Sequence, residues 1–173
     1  MKTISHFFLL LIFLGTFLSV RGQEDKTPAF TEIDEVITTL YNVISGPPGE
    51  RDWALFRSLF HEHGTMGAVH VSKEGERDFR YFTTQTYIDR NGPFFTKNGF
   101  FEEELGREIR HYGGVAQVFT AYQFRLREDG EVAQKGINCI QLVYDANRWF
   151  ITNIVWEAES PENPIPARML SKN

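Results

Sequence analysis

Two glutamates two positions apart, Glu102 and Glu104, sit in the string Gly99-Phe100-Phe101-Glu102-Glu103-Glu104. Residues i and i+2 of a strand share a face, so both carboxyls would be presented together. Held in unlike environments, such a pair can act as base and acid. The same residues also read as a solvated acidic strand or as ion-pair partners of Arg107 and Arg110. His111, in Arg110-His111-Tyr112, supplies the side chain that titrates nearest neutral pH and falls at the end of a long predicted strand. Glu104 and His111 are the candidate catalytic groups, although His111 equally suits a half-exposed strand end.

Other reactive residues carry less. The seven aspartates fall in the leader, in helices or in turns, with only Asp78 near a predicted strand, so no aspartate base is placed inside the sheet. His61-Glu62-His63 lies where the second predicted helix frays. Histidines two apart do not share a helix face, and no third ligand follows at a recognisable spacing; no metal is expected. The single cysteine, Cys139, lies in an apolar strand and reads as a small buried hydrophobe. No Gly-rich phosphate loop or cofactor fingerprint is present, so no cofactor is expected.

Polar side chains inside apolar strands point more directly to a pocket, because a buried amide or hydroxyl must find a partner. Asn138 stands between Ile137 and Cys139; Thr120, Tyr122 and Trp156 stand in similar runs. Trp53 and Phe56 from the second predicted helix and Tyr87 from the third can close over them. An aromatic lining with a few polar handles suits a small apolar or aromatic ligand. The same residues would also fill a solid core.

These groups need elements to hold them. Residues 1–22 read as a cleavable signal peptide: Lys2, then the apolar run Phe7 to Val20, then a cut after Gly22. The mature chain is expected to be secreted or periplasmic, with no membrane contact after cleavage. Removing Lys2 and Arg21 leaves 16 basic residues against 23 acidic ones, near −7; that balance argues against nucleic acid as a partner. Residues 23–29 form a leader, in which Thr27-Pro28 reads as a helix start. Phe30, Ile33, Val36, Ile37, Leu40, Tyr41 and Ile44 trace one face of a first helix. A second helix runs from Asp52 until Gly64 closes it. A strand from Thr65 to Val71 and one from Phe79 to Phe82 follow. A third helix begins at Thr83 or Thr84 and is broken by Asn91-Gly92-Pro93.

From Gly99 the period changes to two. Phe101, Leu105 and Ile109 are predicted on one side of a strand, Val115 to Leu126 returns, and Gly136 to Tyr144 and Arg148 to Ala158 complete a meander. Val118, Thr120, Tyr122 and Phe124 share one side of their strand while Phe119 and Ala121 take the other. Apolar residues on both faces imply that both are covered; a second copy of the chain on the convex face, in a homodimer, is the expected cover. Residues 160–173, with three prolines, are predicted to be a loose tail.

The strings Asp52-Trp53-x-x-Phe56-x-x-Leu59-Phe60, Gly99-Phe100-Phe101-Glu102-x-Glu104, Val118-Phe119-Thr120-Ala121-Tyr122, Gly136-Ile137-Asn138-Cys139-Ile140-Gln141-Leu142 and Arg148-Trp149-x-Ile151-x-x-Ile154-x-Trp156, in this order, resemble the nuclear transport factor 2-like superfamily in its SnoaL-like branch. The resemblance covers residues 30–159. It implies an α+β fold: a cone-shaped curved antiparallel or mixed sheet, a cystatin-like α+β barrel, with three N-terminal helices on its concave face and a pocket at the wide end. Superfamily members range from cyclases, isomerases and dehydratases to pocket proteins without known activity, so the fold transfers no reaction. The expected function is an exported domain that binds a small, largely apolar molecule. The alternatives are a lyase, isomerase or hydratase using a pocket Glu or His as base, and a protein-interaction module acting through the sheet face.

Overall fold

In the computed structural model, which describes residues 29–170, the helices before the meander cover one face of a six-stranded sheet. Helix α1 (Ile33–Ile44) turns Val36, Ile37, Leu40, Tyr41 and Ile44 inward. Its predicted start at Thr27-Pro28 lies outside the described residues. Glu32 stands at the N-cap, and Phe30 precedes it with φ of 52° and no exposed surface. The Phe30 carbonyl accepts from the Trp149 N–H at 2.8 Å, which holds this entry segment against the last strand.

Helix α2 (Trp53–Ser58) starts where Asp52 accepts from the Leu55 N–H at 2.8 Å, an ordinary side-chain cap. It is shorter than expected. Strand β1 (Phe60–Val71) begins two residues after it and runs straight through His61 to Gly64, a stretch whose sequence predicts a helix end. Parallel pairing of Phe60 with Ile151 captures that segment for the sheet. Strand β2 (Arg77–Thr83) returns antiparallel to β1.

Helix α3 (Thr84–Lys97) is capped by Thr83, whose hydroxyl accepts from the Thr86 N–H at 3.1 Å. The expected break at Asn91-Gly92-Pro93 does not occur; Pro93 lies inside the helix. Proline removes one intrahelical donor, and two side chains occupy neighbouring carbonyls, Asn91 Nδ2 donating to Tyr87 O and Thr96 Oγ1 to Gly92 O, both at 2.9 Å. Beyond the proline, Phe95 is almost wholly buried and stacks on Trp53. Tertiary packing here outweighs the local penalty.

Strands β3 (Phe101–Tyr112), β4 (Val115–Arg125), β5 (Gln134–Asp145) and β6 (Arg148–Ala158) form the meander. The β5–β6 turn places Ala146 and Asn147 at φ of 46° and 65°, as a two-residue hairpin turn requires. The six-stranded sheet runs in the order β2-β1-β6-β5-β4-β3, mixed because β1 and β6 are parallel. It is open, with β2 and β3 as edges, so the barrel is not closed.

Inner and outer faces differ from expectation at two places. A bulge at Leu105 shifts the register between Glu104 and Gly106. Leu105 therefore packs outward with Ala121, whereas Ile109 joins the inner core; they do not share a side. The second difference is the tail. Ile165 and Met169 dock on the outer face against Ala121, Leu105 and Ile137, and Met169 keeps 1% of its surface exposed. Glu159 accepts from the Ile165 N–H at 2.9 Å, and Arg168 donates to Glu108 at 2.9 Å. Through residue 170 the tail is part of the fold, and it covers a share of the outer apolar surface that had been assigned to a second copy.

Candidate functional site

Beneath the helices lies a cavity of about 180 Å³ where α1, α2 and α3 meet the inner sheet face. Phe56, Phe95, Phe100, Met66, Ile154 and Trp156 make its apolar walls. Its polar groups are Glu102, Tyr41, Tyr87, Asn91, Tyr122 and Asn138. Among residues named from sequence, Phe56, Tyr87, Tyr122, Asn138 and Trp156 are brought together here. Trp53 stands one layer back, edge-on to Phe56 and stacked on Phe95. Thr120 is fully buried behind Tyr41.

Glu102 enters the cavity because β3 is an edge strand whose outward backbone groups need partners. The segment after α1 supplies them. Ser45 Oγ donates to the Glu102 carbonyl at 2.9 Å and accepts from the Glu102 N–H at 3.0 Å. Gly46 and Phe100 exchange backbone bonds at 2.7 and 3.0 Å. Arg51 braces this strap by donating to the carbonyls of Ile44, Gly46, Pro47 and Gly49 at 2.8 to 3.2 Å. The side chain of Glu102 then points inward, on the same face as Tyr122 and Phe124 of β4.

Burial raises the Glu102 carboxyl from 4.5 to about 8, opposed in part by a hydrogen bond from the Asn138 amide. No ion pair forms to it among the described residues. Burial first, and then the charge of Glu102, push the phenols of Tyr41, Tyr87 and Tyr122 well above the usual tyrosine range. Each of these three phenols is therefore within electrostatic reach of the one carboxyl. At neutral pH Glu102 is mostly the neutral acid.

Glu104 has a different environment. Its carboxylate pairs with Arg107 and accepts from Thr120 Oγ1 at 2.6 Å, and Arg107 also meets Asp34 at 2.7 Å. Because the Thr120 proton goes to Glu104, Thr120 must accept from Tyr41 OH at 3.0 Å, and Tyr41 in turn accepts from Asn138 Nδ2 at 3.0 Å. One directed chain thus runs from Asn138 through Tyr41 and Thr120 to Glu104. The two glutamates do share the inner face, but Glu104 lies outside the cavity lining. His111 is exposed at the far end of β3, on a surface groove with Tyr112 and Gln117.

Sequence reasoning did not assign Tyr41, Ser45 or Arg51 to the site. Tyr41 carries the one hydroxyl on the apolar stripe of α1, which is the signal that marks it. His61 and His63 stand with ring centroids 5.9 Å apart. Among the described residues no group of three or more His, Cys, Asp or Glu is arranged to hold a metal ion.

Solved structures carry the same architecture. A cystatin-like protein of unknown function from Nostoc punctiforme matches 78% of this chain and 93% of its own at 13% identity and a TM-score of 0.58. A nuclear transport factor 2-like superfamily protein from Salmonella enterica matches 76% of this chain and 92% of its own, at 17% identity and a TM-score of 0.55. The fold is nuclear transport factor 2-like. A Mycobacterium tuberculosis protein of unknown function shares this nuclear transport factor 2-like arrangement over 78% of this chain and 75% of its own, at 14% identity and a TM-score of 0.58. No protein-family model and no curated protein matches the chain.

Proposed function

We propose that this nuclear transport factor 2-like domain binds a small, largely apolar molecule in the cavity around Glu102. The observation that carries the reading is one carboxyl, ringed by three tyrosines, in an otherwise apolar and aromatic chamber. Drug-sized ligands occupy about 300–1,000 Å³, whereas an engineered cavity of about 150 Å³ holds benzene. A volume of about 180 Å³ therefore suits a single ring with a short polar arm, and is too small for a multi-ring ligand without rearrangement. A panel of single-ring compounds tested by thermal shift and native mass spectrometry checks this. Ring compounds should raise Tm, and Met66→Phe, which fills the chamber, should abolish the effect. If no compound in the panel shifts the wild-type Tm, the reading fails.

A second reading is proton-transfer catalysis with Glu102 as the acid–base group. A carboxyl near 8 is close to the operating pH, where such a group is most effective. We further propose that the protein is exported by its N-terminal apolar segment, which lies outside the described residues. Pairing of two copies through the outer sheet face is the accompanying proposal, favoured by exposed Phe79, Tyr81 and Phe119.

A further inference from the structure

We propose that the ligand is a small aromatic amine bound as its ammonium ion, with its ring in the apolar chamber and its nitrogen paired with the Glu102 carboxylate. This rests on the cavity being a ligand site and adds the ligand's charge. No Lys, Arg or His lines the chamber, so its carboxyl meets no fixed positive charge there. Arg51, whose guanidinium lies 5.2 Å from the centre of the Phe95 ring, is already committed to four backbone carbonyls. Asn138 lines the chamber with Glu102, its amide donating to Tyr41 OH at 3.0 Å. With no cation from the chain in the chamber, the carboxyl keeps its proton at neutral pH, and a ligand cation supplies the charge that stabilises the ionised form.

The remaining polar groups also suit N–H donors. The hydroxyls of Tyr87 and Tyr122 line the chamber and have no hydrogen-bond partner among the described residues, leaving two phenolic oxygens to accept from an ammonium that has three donors. Tyr87 and Phe56, stacked with centroids 5.3 Å apart, both line the chamber and give a ligand ring an aromatic wall. Glu102 and Tyr41 also border an open cleft of about 740 Å³ in which Asp34 and Glu104 share the guanidinium of Arg107. That approach is net acidic and attracts a cation.

Binding has a proton signature. The titratable groups facing Glu102 are Tyr41 from α1, Tyr87 from α3 and Tyr122 from β4, all held above the usual tyrosine range. Below the Glu102 midpoint, an incoming ammonium must displace the carboxyl proton to the buffer. The ammonium keeps its own protons, and one proton leaves per ligand.

Isothermal titration of the mature protein near neutral pH, in buffers of different ionisation enthalpy, tests this with phenethylamine, phenethyl alcohol and phenylacetate. The expected result is amine binding with release of about one proton, alcohol binding at least tenfold weaker, and no phenylacetate binding. Glu102→Gln should lose the preference for the amine and retain the alcohol. Alcohol binding as tight as amine binding, or amine binding without proton release, would overturn the charge assignment while leaving the cavity reading intact. If none of the three binds and no other single-ring compound does, the cavity reading itself has failed.

Discussion

The Ser45 hydroxyl holds both backbone groups of Glu102, accepting from its N–H at 3.0 Å and donating to its carbonyl at 2.9 Å. A serine just past the end of α1 thus fixes the strand position that carries the cavity's carboxyl, 57 residues away in sequence. Ser45→Ala leaves two part-buried backbone groups without that partner. The expected loss is about 1–3 kcal/mol, read by chemical denaturation, together with a lower Glu102 midpoint as water reaches the loosened edge.

Arg51 braces the same strap through four carbonyls, and the planar fork of its side chain sets that geometry. Arg51→Lys preserves the charge but not the fork. Denaturation should show a loss of roughly 2–4 kcal/mol, since hydrogen bonds to charged groups contribute about 1.5–3 kcal/mol each and only part of them is replaced.

Stability should fall as pH rises through neutrality. Glu102 titrates at about 8 when folded against 4.5 as the ordinary value, so the folded state holds an extra proton between those limits. Its contribution is complete below the lower value and is lost by the time pH passes the upper one. The change from this group should be of order 1–3 kcal/mol, below the full ~1.4 kcal/mol per unit because Glu102 as a residue is half-buried rather than wholly enclosed. Glu102→Gln should flatten that slope and be more stable than wild type in mild alkali, as urea unfolding at a series of pH values would show.

Removing residues 160–173 uncovers Ala121, Leu105 and Ile137. Met169→Ala alone should cost about 2–4 kcal/mol, as deletion of a buried side chain does. Denaturation midpoints check the point variant, and light scattering should show the truncated chain associating more readily than the full one.

Much of this arrangement was legible in the residues. The stripe of α1, the three hairpin strands after Val115 and the polar interruptions at Tyr122 and Asn138 follow from local periodicity and from the cost of burying polar groups. Other features were not. Pro93 remains helical because Phe95 is locked between Trp53 and Phe100, a contact that no local rule anticipates. Leu105 and Ile109 part company at a bulge, which leaves no mark on an alternating pattern. Glu102 and Glu104 look alike in sequence, yet the guanidinium that distinguishes them, Arg107, pairs with only one. That choice is made by tertiary geometry: the sequence reading puts Glu104 forward, whereas Glu102 is the carboxyl that lines the cavity.

The most direct measurement is an NMR titration of the side-chain carboxyl carbons of labelled glutamates in the intact protein, with Glu102→Gln used for assignment. One glutamate resonance, missing in the variant, should titrate with a midpoint near 8. A Glu102 midpoint near 4.5, the ordinary value for glutamate, would mean that water reaches the carboxyl freely, and the apolar chamber on which the functional reading depends would not exist.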